Sequence, residues 1–149
     1  MREGPNGTVL SYGRLAGVCA RAADELVPEG LGFDVIDLRS LAPVDWEAIL
    51  ASVRRTRRLI VVNEDTEVSN FGEHLIRKVV EETFGELEVA PVLLAGAQIP
   101  GIGMAWTLEA ASVPQQNDVV KAMRGLAMAP GRGDAAGGFL TPTRLARFR

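Results

Sequence analysis

Glu64, Asp65, Glu67, Glu73 and His74 crowd one short stretch of the chain, and carboxylates delivered at a strand end can hold magnesium beside a phosphate substrate. Their spacing matches no metal motif, however, and acidic residues also favour the positive N-terminus of a following helix. We therefore read them as structural. His74, the lone histidine, falls in the first turn of that helix beside Glu73 and reads as a surface or packing residue rather than a general base. Nucleophilic chemistry finds little support: the one thiol, Cys19, lies on an apolar stripe, and no serine sits in a G-x-S-x-G elbow. Gly96, Gly101 and Gly103 invite a nucleotide site, but no G-x-G-x-x-G opens a helix and no GKS or GKT follows. They read instead as a tight irregular connection, with Pro100 fixing a turn and Trp106 covering apolar surface. Arg54, Arg55, Arg57 and Arg58 crowd a helix end, where cations offset the negative dipole, a better account than a phosphate clamp. The residues thus assign no catalytic, cofactor-binding or metal-binding position.

The elements that must carry these side chains are clearest between Gly32 and Phe71, a strand, a crossover helix and a second strand. Phe33 to Leu38 alternates and then runs apolar, and Leu59 to Val62 is wholly apolar before Asn63, which suits parallel strands covered on both faces. In open α/β sheets the working edge is the crevice outside the carboxyl ends of the strands, so Asp37, Arg39, Glu64, Asp65 and Glu67 are expected on one rim. Upstream, Thr8 to Tyr12 predicts a strand and Arg14 to Leu26 a helix burying Leu15, Val18, Cys19, Ala22 and Leu26. Asp45 is a good N-cap for a helix carrying Trp46, Ile49, Leu50 and Val53 inward. A third helix buries Leu75, Ile76, Val79, Val80 and Phe84, with Gly85 as its C-cap. Val89 to Leu94 predicts a fourth strand; after the irregular stretch AGAQIPGIGMAWT, a last helix capped near Asn117 carries Val119, Val120, Met123 and Leu126. The order βαβαβαβ, loop, α predicts a doubly wound three-layer α/β domain of four or five strands.

At 149 residues the chain suits one domain with a single core. No apolar run approaches the ~18 residues of a membrane span, and the opening MREGPNGTV lacks the apolar region of a signal peptide. One cysteine leaves no internal disulfide, compatible with a reducing cytoplasm, where we expect the protein. A net charge of −3 argues against a general phosphate-binding surface, so no nucleic-acid or membrane partner is expected. Residues 130–149 carry four arginines against Asp134, leaving −6 on residues 1–129. With two prolines, four glycines and no periodicity, that basic segment reads as a flexible tail after a domain spanning residues 1–129.

The segments GTVLSYGRLAGVCARAADEL, FDVIDLRSLAPVDWEAILASVRRTRRLIVVNED, NFGEHL and LEAASVPQQNDVVKAMRGL resemble the C-terminal domain of the transketolase superfamily. The likeness is greatest to the beta chain of the decarboxylating component of 2-oxoacid dehydrogenases, and covers about residues 2 to 128. VIDLRSLAPVD followed by a helix and LIVVNE is its most specific part. The resemblance implies a three-layer α/β/α sheet of about five strands, mostly parallel with one antiparallel. It also implies an enzyme that uses thiamine diphosphate and magnesium to decarboxylate a 2-oxoacid, pyruvate or a branched-chain acid, and pass the acyl group to lipoamide. In the family this domain packs against its counterpart in a beta-chain dimer and helps receive the lipoyl acyltransferase, while an alpha chain and a preceding pyrimidine-binding domain complete the cofactor site.

Those cofactor-binding parts are not among these 149 residues, as though a longer beta chain had been cut or restarted at MREGPNGTVLSYG. The isolated chain is accordingly expected to bind neither thiamine diphosphate nor magnesium and to be inactive alone, an assembly and docking domain. Asn70, Phe71, Gly72, Glu73 and His74 stand where the family often has Gly-Phe-Gly-Ala-Glu. Phe71 and Gly72 therefore join Asp37, Arg39 and Glu64 as rim or interface candidates, with Asp37 and Arg39 expected to form a pair that orients the rim. GIGMAWT replaces a proline-rich segment, and the Arg-containing tail departs from the negative charges expected near the C-terminus. The alternatives are a free-standing α/β interaction module, or the C-terminal domain of a transketolase or deoxyxylulose phosphate synthase.

Overall fold

The computed structural model describes residues 3–99 and 103–132. Four strands form one sheet: β1 (Thr8–Ser11), β2 (Asp34–Asp37), β3 (Leu59–Thr66) and β4 (Val92–Gly96), in the order β2-β1-β3-β4. All three pairings are parallel, with Val9 opposite Val35 and Ile60, and Val61 opposite Leu93. Among the described residues the sheet thus has four strands rather than about five, and none is antiparallel.

Side-chain alternation along these strands builds two cores. Val9, Val35, Ile60 and Val62 meet helices α1 (Arg14–Leu26) and α5 (Gln116–Met128) on one face. Leu10, Ile36, Leu59 and Val61 meet α2 (Trp46–Thr56) and α3 (Phe71–Thr83) on the other. Because β1 and β3 are covered on both sides, Val9, Leu10 and Leu59 to Val62 are fully buried, the condition that makes a parallel strand read as a continuous apolar run. The stripe of Leu15, Val18, Cys19, Ala22 and Leu26 is buried as expected, as are Val119, Val120, Met123 and Leu126.

Several boundaries differ from the sequence expectations. The strand expected at Val89 begins only at Val92, since Pro91 has no N–H for a ladder and the preceding turn is engaged elsewhere: the Glu88 N–H bonds the Arg57 carbonyl at 2.9 Å. Phe84 is 64 % exposed rather than buried, because α3 ends at Thr83 and Phe84 lies beyond its inward stripe. Gly85 does not adopt the left-handed conformation that a glycine cap uses. The last helix is capped not at Asn117 but by a reciprocal box, Gln115 receiving the Asp118 N–H while the Asp118 carboxylate receives the Gln115 N–H. The stretch expected to be irregular contains a further helix, α4 (Trp106–Ser112), in which Ser112 alone is buried. Without an inward apolar stripe it carries no periodicity to detect. Pro100, Gly101 and residues 133–149, hence nearly all of the basic tail, lie outside the described residues.

Candidate functional site: the carboxyl rim and the α4 surface

The carboxyl ends of the strands bring together Asp37, Glu64, Asp65 and the start of α3, as the parallel order requires. Asp37 ends β2, and its carboxylate accepts from both the Arg39 backbone N–H (3.2 Å) and the Arg39 guanidinium (2.5 Å). Arg39 holds a left-handed backbone, φ 54°, and its side chain is 87 % exposed. The expected pair therefore exists, but as a local surface clasp; exposed ion pairs of this kind contribute about 0–1 kcal/mol. Glu64 ties the rim across the strand order reversal, accepting from Arg14 Nε at 2.5 Å. Asp65 instead bonds the next backbone N–H, that of Thr66.

A polar knot sits below this rim, where β3 turns into α3. Asn70 caps the helix by accepting the Glu73 N–H at 3.1 Å, while its amide donates to the carbonyls of Thr66 and Glu67. The wholly buried Asn63 donates to Asn70 Oδ1 at 3.0 Å. Glu73 reaches back to the N–H of Ser69, whose φ is 63°. These contacts explain Glu73 as helix-start chemistry. Gly72 is where the backbone of α3 approaches this knot: a Cβ there would lie 2.5 Å from Asn63 Nδ2 and 2.7 Å from Leu93 Cδ1. Phe71 stands outside, edge-on to Tyr12 with ring centroids 6.2 Å apart and 5.4 Å from the His74 ring. His74 also meets Trp46 at 5.9 Å.

Ionisation follows from these surroundings. Burial, then the charges of Asp65 and Glu64, raise the Tyr12 phenol above its ordinary value. Burial pushes the Cys19 thiol up to about 11, against a lowering hydrogen bond from Ser11; a thiol so held is a packing group, not a nucleophile. Among the described residues no group of three or more His, Cys, Asp and Glu side chains could hold a metal ion. The described rim carboxylates of Glu64, Asp37 and Asp65 are engaged by Arg14, Arg39 and the Thr66 N–H.

Away from the rim, Arg54, Arg55, Arg57 and Arg58 do more than offset the dipole of α2. Arg58 donates to the Leu126 and Ala127 carbonyls at 2.5 and 3.0 Å and so caps α5, while also pairing with Glu88 at 3.2 Å. Sequence pattern could not reveal that partnership, which joins residues far apart in the chain.

The least expected surface lies after β4. Met104, Trp106 and Leu108 are 101 %, 75 % and 58 % exposed, and Ile99 is 41 % exposed. Trp106 therefore does not cover apolar surface; it presents it. Nearby Gly96 is held tightly, since a Cβ there would lie 2.5 Å from the Glu64 carbonyl oxygen.

Fold and surface together define a small doubly wound α/β domain whose rim carries caps and ion pairs and whose α4 segment gathers Met104, Trp106 and Leu108 as exposed apolar side chains. The family described as Transketolase, C-terminal domain, matches residues 1–119, and this chain belongs to that family. It is 39 % identical over 123 residues to pyruvate dehydrogenase E1 component subunit beta-2, mitochondrial, of Oryza sativa subsp. japonica, covering 83 % of this chain and 32 % of that protein. The corresponding mitochondrial beta subunit of Pisum sativum is 37 % identical over the same length, covering 83 % of this chain and 34 % of its own. The beta subunit of Rhizobium meliloti is 31 % identical over 123 residues, covering 83 % and 26 %. The chain thus spans about a third of the length of the curated relatives it matches. A solved structure described as a split gene transketolase, inactive beta4 tetramer, superposes with a TM-score of 0.72 at 24 % identity, covering 85 % of this chain and 40 % of that one. This last likeness shows the fold.

Proposed function

We propose that this chain is the C-terminal assembly and docking domain of a thiamine-diphosphate-dependent 2-oxoacid dehydrogenase beta chain. It contributes contacts to a second beta chain, an alpha chain and the lipoyl acyltransferase, and is not catalytic alone. The observation that carries this reading is the apolar exposure of Met104, Trp106 and Leu108 on α4 and its approach. Apolar side chains gathered on one surface segment mark a protein contact, and a free-standing polar module has no use for them. Similarity to beta subunits of pyruvate dehydrogenase E1 supports reading the assembly as a 2-oxoacid dehydrogenase. The described rim and its closed pairs support a structural rather than chemical part in the reaction.

The test is reconstitution. The chain is mixed with an alpha chain and a beta chain lacking its C-terminal third, and oxidative decarboxylation of pyruvate is measured with thiamine diphosphate, magnesium and an artificial electron acceptor such as ferricyanide. We expect the three parts to co-elute and activity to depend on all of them. A chain that stays apart under these conditions, or that decarboxylates pyruvate without the others, overturns the proposal.

A further inference from the structure

The segment leading into β1, Glu3 to Gly7, lies across the start of β2 although its sequence, Glu-Gly-Pro-Asn-Gly, offers no large apolar side chain to anchor it. It is held by polar contacts. The Asn6 N–H bonds the Gly32 carbonyl at 2.9 Å, and Asn6 Oδ1 receives the Gly32 N–H at 2.8 Å. The Gly4 N–H donates to Asp34 Oδ1 at 2.7 Å, and the Gly4 carbonyl accepts from Arg55 at 3.4 Å. Contact is close enough that a Cβ on Gly4 would lie 2.1 Å from the Gly32 carbonyl carbon.

Asp34 is the centre of this arrangement. It is 4 % exposed, and its other oxygen accepts from the Ser52 hydroxyl at 2.5 Å and from the Arg55 guanidinium. Ser52 is tied in turn to Thr8, and Thr8 to Thr56, both at 2.7 Å. A buried carboxylate needs its donors, because charge without partners is expensive in the interior. The leading segment supplies one of them and α2 the other two. Asp34 therefore joins the incoming chain to a helix of the core, on the side of the sheet opposite the carboxyl rim.

We propose that Asp34, with Ser52 and Arg55, is a clasp that fixes the direction in which the polypeptide enters the domain. Asp34 is a positioning residue: it sets where the chain before Gly4 points. In the beta-chain reading proposed above, on which this consequence rests, it aims the domain relative to the one before it. The clasp itself is a property of this chain alone.

Its test uses the full 149-residue chain without partners, so that failure of reconstitution and failure of the clasp are distinguishable. Spin labels are placed at Glu3→Cys and Glu47→Cys, two exposed positions; Cys19 is wholly buried with its thiol raised to about 11, which keeps it unlabelled. The distance distribution and amide exchange are compared in the parent, D34N and R55M. We expect a narrow distribution in the parent and a broad one in both variants. The Gly4 amide should exchange about ten- to a hundredfold faster in the variants, as for loss of a charge-assisted hydrogen bond, while Val9 and Ile60 keep their protection. R55M removes a half-exposed side chain and keeps the test open where D34N does not fold. An unchanged distribution, or acceleration of Gly4 only in step with Val9 and Ile60, overturns the proposal, because the network then supports the fold as a whole.

Discussion

Gly72 shows at the level of one residue how a site candidate can be positional without being chemical. In isolation alanine is favoured over glycine in a helix by about 1 kcal/mol. Here the added methyl would collide with Asn63, Leu93 and Asn70, the last at 2.8 Å, and overpacking of this kind costs about 1–3 kcal/mol. Gly72→Ala is therefore expected to lower stability by about 1–2 kcal/mol in urea unfolding; a gain would show that the α3 start can shift. Cys19 gives a second residue-scale expectation. Its thiol is raised to about 11 in the folded chain, above an unfolded value of about 8.5, so the folded state binds the extra proton between those values. Stability is fully present below about pH 8.5 and falls as pH rises toward 11, by about 3 kcal/mol in all. Tyr12, also raised, acts with the same sign. Urea titrations from pH 8 to 11 should show a flatter decline in Cys19→Ala than in the parent.

Among the elements, α5 depends on a side chain from the turn between α2 and β3. Arg58, only 14 % exposed, satisfies two carbonyls at the end of α5 and pairs with Glu88. Arg58→Met keeps most of the apolar stem and removes those bonds. Hydrogen bonds to charged groups contribute about 1.5–3 kcal/mol, and we expect a loss of that order, with faster amide exchange in the last turn of α5. An unchanged midpoint would mean that water replaces Arg58 without cost. The apolar stripes of α1 and α5 were legible in the sequence because burial repeats at the helical period. The end of α3 was less so: Phe84 fits the stripe by spacing, yet the helix stops one residue earlier. The short α4 escaped altogether, since it buries Ser112 alone and a helix without a core face leaves no apolar pattern.

For the whole molecule the decisive feature is the gathering of three exposed apolar side chains within five residues at α4. The carboxyl rim is occupied by its own pairs and caps, whereas the segment around α4 presents Met104, Trp106 and Leu108 to solvent. If that segment docks, Trp106→Ser should leave the unfolding free energy of the isolated chain within about 0.5 kcal/mol, as for an exposed position. The same change should weaken binding in the reconstitution by tenfold or more, as expected when a central aromatic anchor is lost. Retained affinity in titration calorimetry would move the interface elsewhere.

Local pattern alone determined the order of the four strands and four of the helices, the inward faces of α1, α2 and α5, the Asp45 cap and the family resemblance carried by VIDLRSLAPVD. These are properties of neighbours in the chain, where backbone periodicity and capping chemistry act over a few residues. Tertiary structure decided the rest: that Arg58 serves a distant helix, that Gly72 abuts Asn63, and that Trp106 faces outward. Each depends on which elements become neighbours in space, and folding sets those long-range approaches through the packing of the whole sheet.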